Sequence, residues 1–239
     1  MPEYSEFSRN LARHTPDRKS PFESEFGPFP DDGLTPDDVE VTKTGTTTVG
    51  LAAEDGVVLA TDMRASLGRM VSSKTVQKVE QIHPTGALTI AGSVSAAQWL
   101  IRTLQAETDL YEVRRGENMT MTALSTLTGN LLRSGAFLIV QPVLGGVDEK
   151  GSHVFSIDAL GGTTREDYTV SGSGSQFALG VLEQEYDESL SIEEARQVAA
   201  RSVQSALERD TATGNGLNVA EVTEEGVTID RYTEIDDLL

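Results

Sequence analysis

In the stretch "AAEDGVVLATD" two apolar or β-branched runs meet at Asp55-Gly56, and a dipeptide of that kind between two such runs predicts a tight β-hairpin. "KVEQIHPTGALTIAG" repeats the arrangement, with His83-Pro84-Thr85-Gly86 as the turn and residues 87–91 as a largely buried strand. Four strands are therefore expected before any helix. Two helices follow: 95–115, with Ala97, Leu100, Ile101 and Leu104 on one face and Gly116 as its stop, and 121–133, with Leu124, Leu127 and Leu131 inward. Strand signals return at 137–143, 153–158 and 167–170, separated by Gly145-Gly146 and Gly161-Gly162. Residues 176–186 read as a helix, and Ser191-Ile192-Glu193-Glu194 is a capping box opening another, with Ala195, Val198, Ala199, Ser202 and Ala206 inward. Residues 217–222 and 227–229 form a hairpin around Glu225-Gly226. Strands, two helices, strands, two helices, strands is not the alternation of a parallel βαβ sheet. It predicts an α+β fold in which antiparallel sheets are covered by helices.

With 239 residues, 38% of them hydrophobic, the chain can bury one large core rather than two. Six of the eight prolines fall in the first forty residues, where no helix or strand period shows, so this part reads as a mobile leader. No apolar run approaches the ~20 residues of a membrane helix. The N-terminus "MPEYSEFSRNLARH" lacks the apolar core of a secretory signal, which predicts a cytoplasmic protein. The absence of cysteine excludes disulfides, thiol catalysis and thiolate metal sites. A net charge of -19, from 38 acidic against 19 basic residues, argues against nucleic acid and anionic membrane surfaces as partners. Because the acids are scattered rather than gathered in a tail, the surface reads as adapted to a salty cytoplasm, with an ordinary acidic protein as the alternative.

A hydrolase needs a nucleophile and a base, and the three histidines leave little choice. His14 lies in the leader, so a Ser/His/Asp triad has to use His83 or His153, and no G-x-S-x-G elbow supports it. Ser171-Gly172-Ser173-Gly174-Ser175 reads as a strand-to-helix turn, and it lacks the lysine of a phosphate-binding loop. A threonine needs no histidine if it is the first residue of a chain, because its own α-amino group, with a pKa of about 8, can take the hydroxyl proton. In "KTGTTTVGL" that solution requires removal of the leader so that Thr46, Thr47 or Thr48 comes first, with Gly45 supplying an unhindered peptide bond. On residue type alone, the same threonines also fit an ordinary strand start.

The segments "TGTTTVGLAAEDGVVLATDMRAS", "KTVQKVEQI", "GALTIAGSVSAAQWL", "VFSIDALGG", "SGSGSQFALGVLE" and "ERDTATG", in that order and spacing, resemble the β-type subunits of the archaeal 20S proteasome from Thr46 nearly to the end. The resemblance implies the four-layer αββα sandwich of the N-terminal nucleophile hydrolases. It implies a propeptide, residues 1–45, removed by attack of Thr46 on the Gly45 carbonyl, and a mature catalytic domain, residues 46–239. By the family's motifs Thr46 is the nucleophile, Asp62 and Lys78 complete the core of the site, and Gly92 supplies the oxyanion N–H. Ser173, Asp210 and Thr213 hold the Thr46 amine and an associated water, with threonine at 213 where the family commonly has serine. Arg64 supports Asp62. Ala65, Val76, Ile90 and Val94 line an apolar specificity pocket, near which Glu80 and Gln98 also fall.

The function so implied is a threonine endopeptidase, made as a zymogen, that degrades unfolded polypeptides with a chymotrypsin-like preference and no metal or organic cofactor. Heptameric rings of β subunits would stack against α-subunit rings and receive substrate from a proteasome-activating ATPase. The alternatives are a non-catalytic ring subunit and another N-terminal nucleophile amidohydrolase acting on a small amide.

Overall fold

The computed structural model describes residues 45–67, 70–135 and 140–239. The leader up to residue 44 and residues 137–139 of the strand expected at 137–143 lie outside the described residues, and the described remainder holds an isolated bridge at Val140 and the start of a later strand at Val143.

Strands β1 (Thr47–Ala53) and β2 (Gly56–Asp62) form the expected hairpin, with Glu54 and Asp55 at its tip. Both are almost wholly buried, yet their side chains sort cleanly by alternation. Val49, Leu51, Val58 and Ala60 face one way, while Val57 and Leu59 face the other. A strand buried on both faces belongs in the middle of a sheet. β1 and β2 accordingly lie inside a five-stranded antiparallel sheet ordered β10-β1-β2-β11-β12, in which β10 is Tyr168–Gly172, β11 Leu217–Thr223 and β12 Gly226–Tyr232.

The second five-stranded sheet runs β5-β6-β7-β8-β9, comprising Val79–His83, Gly86–Thr89, Val143–Asp148, Gly151–Ile157 and Thr163–Glu166. A short ribbon, β3 (Ala65–Leu67) with β4 (Met70–Ser73), stands apart from both. Among the described residues, six strands thus precede the helix at 94–115 instead of the expected four. The two extra ones are short and largely exposed or half-buried, so no apolar alternation announced them.

The helices are α1 (Val94–Arg115), α2 (Met121–Arg133), α3 (Ser175–Glu185) and α4 (Ile192–Leu207). Ser93 caps α1, and Gly116 closes it in the left-handed conformation. The Ser191–Glu194 capping box opens α4 as expected. Three apolar clusters define the layers. Ile82, Leu88, Leu144 and Phe155 of the second sheet pack against α1 and α2. Val49, Leu51 and Val219 of the first sheet pack against Ala178, Leu182, Val198 and Val203 of α3 and α4. Val57, Leu59, Val143, Val154 and Val222 fill the space between the sheets. The result is an αββα sandwich of the N-terminal nucleophile hydrolase type.

Gly145-Gly146, expected as a break, lies inside β7. A Cβ on Gly145 would stand 2.7 Å from Val57 Cγ1, and one on Gly146 would overlap Met121 Sδ. These glycines are present because the facing layers leave no room for a side chain, not because the chain turns there.

Candidate active site

Thr46 lies one residue before β1. The Ser173 amide donates to Thr46 O at 2.8 Å, and Thr47 pairs with Gly172, so the sheet's own bonding fixes this end of the strand. Asp62 ends β2 opposite Leu217 of β11 and is fully buried. Lys78 lies immediately before β5, where its carbonyl accepts from Ile90 N at 2.7 Å, and it too is buried.

On the hydroxyl side, Lys78 Nζ donates to Thr46 Oγ1 at 3.0 Å and to Asp62 Oδ1 at 2.8 Å. Asp62 Oδ1 also accepts from Thr47 N at 3.1 Å, and Oδ2 accepts from Arg64 N at 3.1 Å and Gly214 N at 3.0 Å. Thr46 Oγ1 in turn donates to Gly45 O at 2.6 Å. Burial raises the Asp62 pKa and lowers that of Lys78, while the attraction between the two charges opposes both shifts. Both effects of burial bring the two groups nearer to sharing a proton. Lys78 can therefore stabilise an alkoxide as the ammonium, or take the hydroxyl proton as the amine.

On the side of its main-chain nitrogen, Thr46 N donates to Ser173 Oγ at 3.3 Å, and Ser173 Oγ donates to Asp210 Oδ2 at 2.5 Å. Thr213 Oγ1 donates to the same oxygen at 2.6 Å. Burial alone would raise the Asp210 pKa, but donation by Ser173, Thr213 and Ala212 N, with the Arg64 charge, holds it below the usual carboxylate value. Arg64 straps the loop that carries these groups, Nε donating to Asn215 Oδ1 at 2.9 Å and Nη1 to Thr211 O at 2.8 Å.

One hydrogen-bonded set thus joins Gly45, Thr46, Asp62, Lys78, Ser173, Asp210 and Thr213, with Arg64 at its edge. Gly92 lies between β6 and α1 at φ 115°, a conformation that strains any residue with a side chain. Of the four pocket candidates, Ala65, Val76 and Val94 are half-buried, whereas Ile90 belongs to the core cluster beneath α1. Glu80 is half-buried with its pKa raised by desolvation, and Gln98 is exposed.

Sequence reasoning passed over Gly214, Asn215 and the further role of Thr47. Asn215, at φ 66°, could have been suspected from "TGNG", since asparagine between glycines tolerates the left-handed region. His153 Nε2 pairs with Asp148 Oδ1 at 2.8 Å, and its Nδ1 is buried without a partner, so no serine hydroxyl completes a triad there. His83 Nδ1 accepts from Thr85 N at 3.1 Å in its turn.

An αββα sandwich with a threonine just before an interior strand of one sheet, facing a buried lysine–aspartate pair, defines the class as an N-terminal nucleophile hydrolase fold. The proteasome subunit family model matches residues 42–222. The chain is 73% identical over 197 residues to a proteasome subunit beta of Halorubrum lacusprofundi, covering 82% of this chain and 81% of that one. It is 61% identical over 239 residues to a proteasome subunit beta of Haloferax volcanii, covering 99% and 98%. The chain belongs to the proteasome subunit family, and these relatives are β subunits of haloarchaea.

Proposed function

We propose that this chain is a threonine endopeptidase subunit of the 20S proteasome core, made with a propeptide that it removes itself. The observation that carries the reading is the buried row Asp62–Lys78–Thr46, whose hydroxyl lies 2.6 Å from the carbonyl oxygen of Gly45. Thr46 Oγ attacks the Gly45 carbonyl carbon, passing its proton toward Lys78. The peptide C–N bond breaks, leaving an ester on Thr46 and a free amine. Water then hydrolyses the ester, which releases residues 1–45 with a Gly45 carboxylate and frees the hydroxyl. In later turnovers the liberated amine, held by Ser173 and Asp210, takes the hydroxyl proton and returns it to the leaving amine of the substrate. Gly92 N–H stabilises the oxyanion.

No metal or organic cofactor takes part in this reading. Substrates are unfolded polypeptides, with an apolar residue before the cut received by Ala65, Val76, Ile90 and Val94. The partners are other β subunits in heptameric rings, α subunits and a proteasome-activating ATPase, all in the cytoplasm. The test is the intact mass and N-terminal sequence of the chain from assembled complex in high salt, wild type beside Thr46→Ala. A wild-type chain beginning at Thr46 with a mutant that keeps Gly45 supports the reading. If both keep the leader, the chain is a structural ring subunit instead.

A further inference from the structure

Thr47 is one of three threonines at the seam, and beyond starting β1 and donating its N–H to Asp62 it carries a hydroxyl that neither role uses. Its surroundings give that hydroxyl a role. A carboxylate only accepts hydrogen bonds, so Ser173 and Thr213 must both donate to Asp210 Oδ2, at 2.5 and 2.6 Å. With its proton committed there, Thr213 Oγ1 can only accept from Thr47 Oγ1, 2.7 Å away. By the same logic Ser173 Oγ accepts from Thr46 N. Two lines of donors therefore converge on Asp210, one from the Thr46 N–H, which cleavage would turn into the reactive amine, and one from Thr47. Thr47 also reaches the other half of the site, because its main-chain N–H donates to Asp62 Oδ1, the oxygen that Lys78 holds.

We propose that Thr47 is a positioning residue for the Thr46 chemistry. Its N–H aligns the carboxylate that holds Lys78 against the hydroxyl, and its own hydroxyl, through Thr213, orients the carboxylate that holds the amine. The inference rests on the reading of Thr46 as nucleophile given above. The fit leaves little freedom. Thr47 and Thr213 are 0% and 1% exposed, and a Cβ on Gly174 would overlap Thr47 Oγ1. No water can replace the hydroxyl, so a valine at 47 would leave Thr213 with a buried lone pair unfilled while keeping the shape.

The test uses the assembled complex in molar salt and a fluorogenic peptide with an apolar residue before the cut. Thr47→Val should lower kcat about five- to tenfold and leave KM within about twofold, while Thr47→Ser, which keeps the donor, should stay within about twofold of wild type. Thr47→Val combined with Thr213→Val should be no slower than Thr213→Val alone, because both remove the same bond. Wild-type turnover in Thr47→Val, or effects of the two valines that multiply, overturns the proposal. Should Thr47→Val fail to fold, Thr47→Ala against Thr47→Ser tests the same bond without touching the Thr213–Asp210 contact: a slow alanine and a fast serine support it, and equal rates overturn it. Thr46→Ala separates the two levels of inference. If it still cleaves peptide, the proposed function fails. If it is inactive and Thr47→Val is unaffected, only the role of Thr47 fails.

Discussion

Asp62→Asn changes one atom and reverses one hydrogen-bonding role at the most constrained carboxylate in the site. Each oxygen of Asp62 accepts from two donors: Oδ1 from Lys78 Nζ at 2.8 Å and Thr47 N at 3.1 Å, Oδ2 from Arg64 N at 3.1 Å and Gly214 N at 3.0 Å. An amide nitrogen placed at either oxygen therefore faces two N–H groups and strands both, at a position with 0% exposure. A stranded buried donor costs about 1–3 kcal/mol, so two cost about 2–6. Removing one partner of a buried ion pair costs about 3–5 kcal/mol, which describes the same loss from the side of Lys78. The expected destabilisation is the overlap of the two estimates, about 3–5 kcal/mol, read as the shift in urea denaturation in molar salt. The chemistry should suffer more. With the carboxylate charge gone, only the weaker attraction of Asp210 opposes the burial that pushes the Lys78 pKa down, and the ammonium facing Thr46 is disfavoured. Cleavage at Gly45–Thr46, followed by intact mass, should slow about a hundredfold or more. A variant that denatures within about 1 kcal/mol of wild type and processes at the wild-type rate would refute the reasoning on both counts.

Gly45→Ala should leave residues 1–45 attached, because its Cβ would overlap that of Ala212; Ala212→Gly in the same chain should restore part of the cleavage, read by mass. Stability should fall on the acid side through Asp148. Burial alone would raise its pKa, but donation by Lys150 N, Met121 N and His153 outweighs this and holds it down, so its contribution is present above the ordinary carboxylate pKa of about 3.9 and is lost as pH falls through the depressed value. Asp148→Asn should flatten that limb of a denaturation-against-pH profile. A chain of net charge -19 should refold poorly at 0.1 M salt, where charges interact over about 10 Å, and well at 1 M, where the range is about 3 Å; equal yields would argue for an ordinary acidic protein.

The long elements were legible because each carries its own period or cap. Val49, Leu51, Val57 and Leu59 alternate, Ala97 to Leu104 recur at helical spacing, and Ser191 with Glu194 marks a helix start by two reciprocal bonds. What escaped was set by neighbours distant in sequence. Gly146 looks like a turn until Met121 Sδ is found where its side chain would be, and Thr163–Glu166 is fully exposed and becomes a strand only through the β8 edge beside it. The site divides in the same way. Asp62 and Lys78 have no local pattern that sets them apart from solvated charges, and only resemblance drew them from the sequence. The second use of Thr47 depends on Thr213, 166 residues away, so no window of sequence could show it.

The loop after α4 explains how two halves of a site on different elements stay in register. Asp210 and Thr213 link through Ser173 to Thr46 N, yet Gly214, the next residue, returns its N–H to Asp62 beside Lys78. Directly after Gly214, Asn215 at φ 66° lies in the left-handed region before β11 begins. That conformation costs about 1 kcal/mol or more for a residue with a side chain and needs support from outside the loop. Arg64 supplies it by holding Asn215 Oδ1 and Thr211 O, while its own N–H is fixed on Asp62 Oδ2. The guanidinium lies against Gly214 so closely that a Cβ there would overlap Arg64 Cζ. Asp62 is thus the point to which Lys78, the strand that follows Thr46, the Arg64 strap and the loop after α4 are all tied. Displacing any one of them displaces the others, and the geometry around Thr46 is held as a unit rather than residue by residue.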